Sequence, residues 1–250
     1  MKNITLKTMT AIATIAAASA AQSATLYSED FEGASLADSN LTAGFIIGNV
    51  NNDTGAGWFD GVAAPANGAG QNGYSNYIEE GGPDQGNIQL STFSDYNGWS
   101  PFNSGVQSLT TVVYRDIATL SSADVGNTVT FQFDAKLGNI GEAEGGSTAR
   151  AFLKVLNTTF WYEALNESVS DYEIGTDWGT YSTSFEVTSD LVGGLVQIGF
   201  DNTTTSAWAA SGMAYDNLSV TSASAVPVPA AAWLMGSALL GLAGMKRSRK

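Results

Sequence analysis

Between residues 25 and 222 the chain has no long stretch with apolar positions every third or fourth residue. It has many short stretches in which apolar and polar positions alternate. Val129-Thr130-Phe131-Gln132-Phe133-Asp134-Ala135 is the cleanest, and the pattern returns in Ala149–Leu156, Tyr181–Val187, Val196–Phe200 and Ala214–Val220. A period of two is that of a strand with one face buried, and Thr, Val, Phe and Tyr suit a half-buried pleated surface. Turn-forming stretches separate these segments: Asp124–Asn127, Gly138–Gly146, Asp190–Gly194 and Asn202–Ser206. Strands at this spacing without helical crossovers predict an all-β fold, an antiparallel two-sheet sandwich of jelly-roll type.

Residues 48–105 have another texture. Gly55 to Gly105 holds 11 glycines in 51 residues, interleaved with Asn, Asp and aromatic side chains. An average chain has about 7% Gly. This reads as long loops and short strands at one end or face of the sandwich; the alternative is a low-complexity spacer.

The two ends read as addresses. Residues 1–24 are predicted to be a secretory signal helix: Lys2 and Lys7, an apolar Ala-rich stretch over Met9–Ala18, then small residues. Ala18-Ser19-Ala20 fits the small-x-small cleavage rule, and Ala24 is a second candidate. At the other end residues 223–250 open with a small-residue linker and Val226-Pro227-Val228-Pro229. Sixteen uncharged residues, 230–245, and Lys246-Arg247-Ser248-Arg249-Lys250 follow. Sixteen helical residues span about 24 Å, slightly short of a ~30 Å hydrocarbon core. The pattern predicts a transmembrane helix whose basic tail stays cytoplasmic. Gly236, Gly241 and Gly244 weaken that helix, which suits a transient inner-membrane anchor. The order of Pro motif, Trp-containing apolar helix and basic end closely resembles the PEP-CTERM sorting signal in its VPLPA-type variant, with Val228 where Glu would stand. The resemblance implies a Gram-negative envelope or secreted protein processed by an exosortase at Val226, Pro227, Val228 and Pro229. The alternative is a plain C-terminal anchor. The sandwich domain is left as residues 25–222.

Charge and composition narrow the chemistry. All 24 acidic residues lie between Glu29 and Asp216, where only Arg115, Lys136, Arg150 and Lys154 oppose them, a net of −20. Such a body repels nucleic acid and anionic lipid and attracts divalent cations. The absence of His and Cys removes His- or Cys-based zinc sites, histidine triads and disulfides.

Four strings of the body resemble the jelly-roll carbohydrate-binding modules of the galactose-binding-like class. They are Tyr27-Ser28-Glu29-Asp30-Phe31-Glu32-Gly33, the run from Gly126 to Lys136, the run from Trp178 to Val187, and Tyr215-Asp216-Asn217-Leu218-Ser219-Val220. They stand in the family's order across most of 26–221. The resemblance implies first and last strands side by side with a shared structural calcium ion. Glu32 and Asp216 match those motif positions, with Glu29 and Asp30 beside them. Calcium takes six to eight oxygens from carboxylates, carbonyls and water. The alternative is that these acids are solvated turn residues or caps.

Glycoside hydrolysis also uses paired carboxylates. However, the jelly-roll glycanase pattern E-x-D-x-x-E is absent, since Glu142-Ala143-Glu144-Gly145-Gly146-Ser147 departs from it twice. No catalytic residue is assigned. Sugar rings stack on Trp and Tyr while Asn and Asp hold their hydroxyls, so Trp58, Trp99, Tyr74 and Tyr77 are the candidate ligand residues. Burial in the core is the competing role for each. Trp161-Tyr162 is ambiguous, because alternation puts one of the two inside. Together these observations predict a non-catalytic exported envelope or extracellular-matrix protein that binds polysaccharide. The alternatives are a structural or adhesive surface protein without a sugar site, and a secreted glycan-active enzyme.

Overall fold

The computed structural model describes residues 23–37, 41, 44–51, 57–59, 73–94, 108–138, 147–204 and 211–224. Residues 1–22 of the predicted leader, the Val226–Pro229 motif and the apolar helix lie outside the described residues, while Ser23 and Ala24 belong to the first strand. Among the described residues no helix is long and apolar enough to cross a membrane.

Ser23–Ser224 forms one compact unit of two antiparallel six-stranded sheets. In the first sheet, β10 (Gly179–Glu186), β7 (Thr128–Leu137), β12 (Ser211–Ala223), β5 (Gln89–Ser94) and β4 (Gly73–Ile78) are neighbours in that order. β1 (Ser23–Glu29) also pairs with β12. The second sheet runs β3 (Gly57–Phe59), β2 (Ile46–Asn51), β6 (Leu109–Thr119), β11 (Leu195–Thr204), β8 (Thr148–Asn157), β9 (Tyr162–Ser170). From β5 onward the chain changes sheet at every step except β8 to β9. That alternation is how a jelly roll is wound.

The predicted alternation is the alternation observed. On β7 Val129, Phe131, Phe133 and Ala135 face the interior, while Thr130 and Gln132 do not. On β8 Ala149, Ala151, Leu153 and Val155 do the same for the opposite sheet. An aromatic stack joins the layers, with Phe200 of β11 lying parallel to Tyr215 of β12 at 3.7 Å between centroids. Phe133 meets both edge-on, at 6.0 and 6.2 Å. Each fully buried large side chain contributes about 1.5–3 kcal/mol, so this cluster is the main tie between the sheets. β6 and β9 show weaker alternation in the sequence, and the pairing reveals them. Within 48–105, part of β2 and all of β3, β4 and β5 are strands.

One irregularity positions the candidate site. β12 pairs with β7 in register to Asp216, slips, and resumes at Ser219. Asn217 takes a left-handed backbone, φ 50°, a conformation Asn adopts more readily than most residues. The bulge lets Tyr215 and Leu218, three apart, both enter the core. It also divides one edge of β12: β5 pairs with Ser211–Tyr215 and β1 with Leu218–Ala223.

Candidate functional site

Where β1 ends against the bulge there is a cleft of about 290 Å³ lined by Ser28, Glu29, Asp30, Asn217 and Leu218. Asp216 is beside it and 1% exposed. Its Oδ1 accepts the Asn217 N–H at 2.7 Å, while its buried Oδ2 has no partner. Burial, with the charges of Asp134, Glu32 and Asp30 adding to it, raises its pKa to about 7 against the pull of the Asn217 N–H.

The acids around it are engaged otherwise. Glu32 reaches across to the segment before β5: its Oε1 accepts the N–H groups of Asn87 and Ile88, and its Oε2 accepts the Asn87 amide. These donors hold the Glu32 carboxyl below its usual range, the Ile88 N–H most strongly. Glu29 caps Phe31 N–H at 2.9 Å, and Asp30 accepts the Glu32 N–H at 3.2 Å. Asp134 is satisfied by Gln85, Thr180 and Asn217 at 2.6–2.8 Å. Glu29 and Asp30 thus line the cleft beside Asp216 while Glu32 is turned to the segment before β5, and Asp216 Oδ2 is buried without a partner. Among the described residues no three His, Cys, Asp or Glu side chains are grouped as a metal cluster.

Three of the four predicted sugar-stacking residues fall on described strands. Tyr77 is a correction: it is 2% exposed and packs in the core, 5.9 Å from the Phe31 ring. Its inward parity on β4 explains this, because it pairs with Leu90. Tyr74 pairs with Phe93 in the first sheet, whereas Trp58 pairs with Asn49 in the second. Trp99 lies outside the described residues.

The outer face of the second sheet carries a more coherent surface. Ile46, Tyr114, Gly199, Phe152 and Ser168 share one rung across five strands. Phe152 is 1% exposed although it stands outside the main core. Its ring lies over Gly199, where any Cβ would collide with Phe152 Cζ and the Val113 carbonyl, and Lys154 Nζ sits 4.7 Å from its centroid. Beside this apolar floor Tyr114 is half-buried and Ile46 is exposed.

Ordered polar groups border the rung on both sides. One neighbouring rung holds Arg150, whose Nε donates to Asp201 at 2.7 Å. Burial raises the Asp201 carboxyl, with Arg150 opposing. On the other side Gln197 donates to Asp116 at 2.8 Å, and Glu163 is held by Lys154 at 3.1 Å and Asn166 at 2.8 Å. Two of the four cations of the body thus flank one Phe on one face. The spacing Arg150, Phe152, Lys154 against the inward Ala149, Ala151, Leu153, Val155 was the sequence signal for it.

No family model matches the chain, and no curated protein matches it. Among solved structures it is similar to a cyclase from Fischerella sp. TAU, at 15% identity and TM-score 0.50, over 80% of this chain and 98% of that one. It is also similar to the CBM22-1 xylan-binding domain of Paenibacillus barcinonensis Xyn10C, at 11% identity and TM-score 0.43, covering 83% and 99%. A third is the enzymatically active domain of tailspike protein 4 from bacteriophage CBA120, at 11% identity and TM-score 0.45, covering 77% of this chain and only 21% of that one. At such identities the likeness to the cyclase bears on the two-sheet β-sandwich fold and carries no substrate or reaction across.

Proposed function

We propose that this chain is a non-catalytic exported protein of the cell envelope or extracellular matrix, and that it binds neutral polysaccharide on the outer face of its second sheet. The observation that carries the reading is the Tyr114–Gly199–Phe152 rung with its ordered borders. A sugar ring needs a flat apolar surface for its C–H face and fixed donors and acceptors for its hydroxyls. Tyr114 and Ile46 provide the first, and the exposed Asp116 and Arg150 the second, each fixed by a buried partner, Gln197 and Asp201. Because those polar groups already hold one another in place, little side-chain freedom is lost when a ligand arrives. The body's charge of −20 favours neutral over anionic polymers.

The reading includes export by the N-terminal leader and exosortase processing near Val226–Pro229 after transient anchoring in the inner membrane, both inferred from the sequence. It also includes structural calcium at the β1–β12 junction. The open Oδ2 of Asp216 fits a hard cation, with Glu29, Asp30, Glu32 and neighbouring carbonyls as further oxygen donors. The ion would neutralise a buried charge and tie the first strand to the last.

Affinity electrophoresis through gels of neutral polysaccharide tests the reading. Wild type should be retarded, and Tyr114→Ala should lose most of the retardation while its melting midpoint stays within a few degrees. Free migration of wild type through every gel would favour the adhesive-scaffold reading instead.

A further inference from the structure

The β8–β9 hairpin ends in a turn that does not obey the usual economy of side chains. Residues 158–162, Thr-Thr-Phe-Trp-Tyr, carry no charge. Phe160 is 76% exposed, Trp161 70% and Tyr162 53%. Neither Trp161 nor Tyr162 is inside, contrary to the expectation from alternation. Trp161 also takes a left-handed backbone, φ 55°. For a bulky side chain that conformation costs about 1–2 kcal/mol, and Gly adopts it freely. Core burial does not offset that cost here.

The tip is nevertheless ordered. Asn157 Oδ1 accepts the N–H groups of Thr159 and Phe160, both at 3.0 Å, and the Asn157 carbonyl accepts the Trp161 N–H at 2.8 Å. Thr158 Oγ1 ties the turn to the Gly193 carbonyl at 3.4 Å. The aromatic tip is therefore held in place before any partner arrives, which lowers the entropic cost of binding. Thr158 and Thr159 of the turn line a pocket of about 180 Å³ with Asn157, Asp190, Val192 and Gly193, and the three aromatic residues follow them directly in sequence. Hydroxyls and a carboxylate beside exposed rings are the chemistry of a sugar ring, whose C–H face stacks while its hydroxyls bond. A bilayer surface would use the rings and leave the polar pocket without a role. An acidic body adds nothing to attraction for lipid.

We propose that the β8–β9 tip and this pocket form a second glycan contact, separate from the sheet face, that takes one uncharged sugar ring at a chain end or branch. It rests on the carbohydrate-binding reading above.

The test uses the full chain as wild type, Trp161→Gly, Phe160→Ser and Tyr114→Ala. Each is run through gels containing xylan, glucomannan, laminarin or dextran, sedimented with phosphatidylcholine vesicles, and melted. Trp161→Gly should raise the melting midpoint by a few degrees, because Gly relieves the backbone strain, and weaken retardation about tenfold. Phe160→Ser should weaken retardation without lowering the midpoint, and both variants should keep the contribution that Tyr114→Ala removes. Wild-type affinity in both tip variants, with Tyr114→Ala impaired, would overturn this proposal and leave the sheet-face reading standing. Vesicle binding by wild type that is lost in Trp161→Gly would also overturn it, making the tip a membrane contact. Free migration of wild type in every gel removes both readings together.

Discussion

The sharpest consequence concerns Asp216. Its carboxyl is 1% exposed, one oxygen is unpartnered, and its pKa rises from 3.8 to about 7. An acid whose folded-state pKa is raised binds its proton more tightly folded than unfolded. Its protonated form therefore protects the fold below about pH 4, and that protection is lost as pH rises from about 4 to 7. The shift is about three units, and at 1.36 kcal/mol per unit the loss has a ceiling of ~4 kcal/mol. For a domain of this size 1 kcal/mol moves the midpoint by about 2–4 °C. In chelator, wild type should therefore lose up to ~8–16 °C relative to Asp216→Asn between pH 4 and pH 8. The variant keeps an acceptor for the Asn217 N–H and carries no charge. Added calcium should close most of the gap at pH 8, since a ligand at 100 times its dissociation constant adds about 2.7 kcal/mol and the amide binds the ion poorly. Differential scanning fluorimetry across pH, in chelator and in millimolar calcium, reads both effects. Equal wild-type midpoints in calcium and chelator would remove the metal from the account. A flat difference between wild type and Asp216→Asn in chelator would refute the buried-charge argument.

The remaining expectations are briefer. Arg150→Ala leaves the buried Asp201 carboxyl unpaired and should cost about 1–3 kcal/mol at pH 7, most of it recovered in Arg150→Ala/Asp201→Asn; urea melts measure this. Gly199→Ala drives a methyl into Phe152 and the Val113 carbonyl, so it should destabilise by about 1–3 kcal/mol and disturb glycan retardation together, as midpoint and gel mobility would report. Intact-mass analysis of exported protein should give a start at Ala21. Cleavage after Ala24 would remove Ser23 and Ala24, which pair with Ala223 and Ser222 in β1–β12.

Much of the scaffold was legible because strand burial has a period of two that a linear chain displays directly. Val129, Phe131, Phe133 and Ala135 could be assigned to one face without knowing what covered them. The resemblance of the first and last strings to a known family implied that those strands lie side by side, and β1 pairs with β12 from Ser23–Ala223 to Glu29–Leu218. What alternation cannot express is which sheet a strand joins. Tyr74 and Trp58 fell on different sheets, and Tyr77 fell inside.

Three features exist only in the tertiary structure. The bulge at Asn217 resets the parity of β12 just after Asp216, so Tyr215 and Leu218 both face the core, which their spacing in sequence does not announce. The outer rung of Tyr114, Gly199 and Phe152 draws on three strands far apart in sequence, with Gly199 leaving the space the Phe152 ring fills. The exposed Trp161 looks like core material in the sequence because hydrophobicity is a property of the residue. Exposure belongs to the turn, and there the Asn157 bonds hold a tip whose Trp161 is 70% exposed.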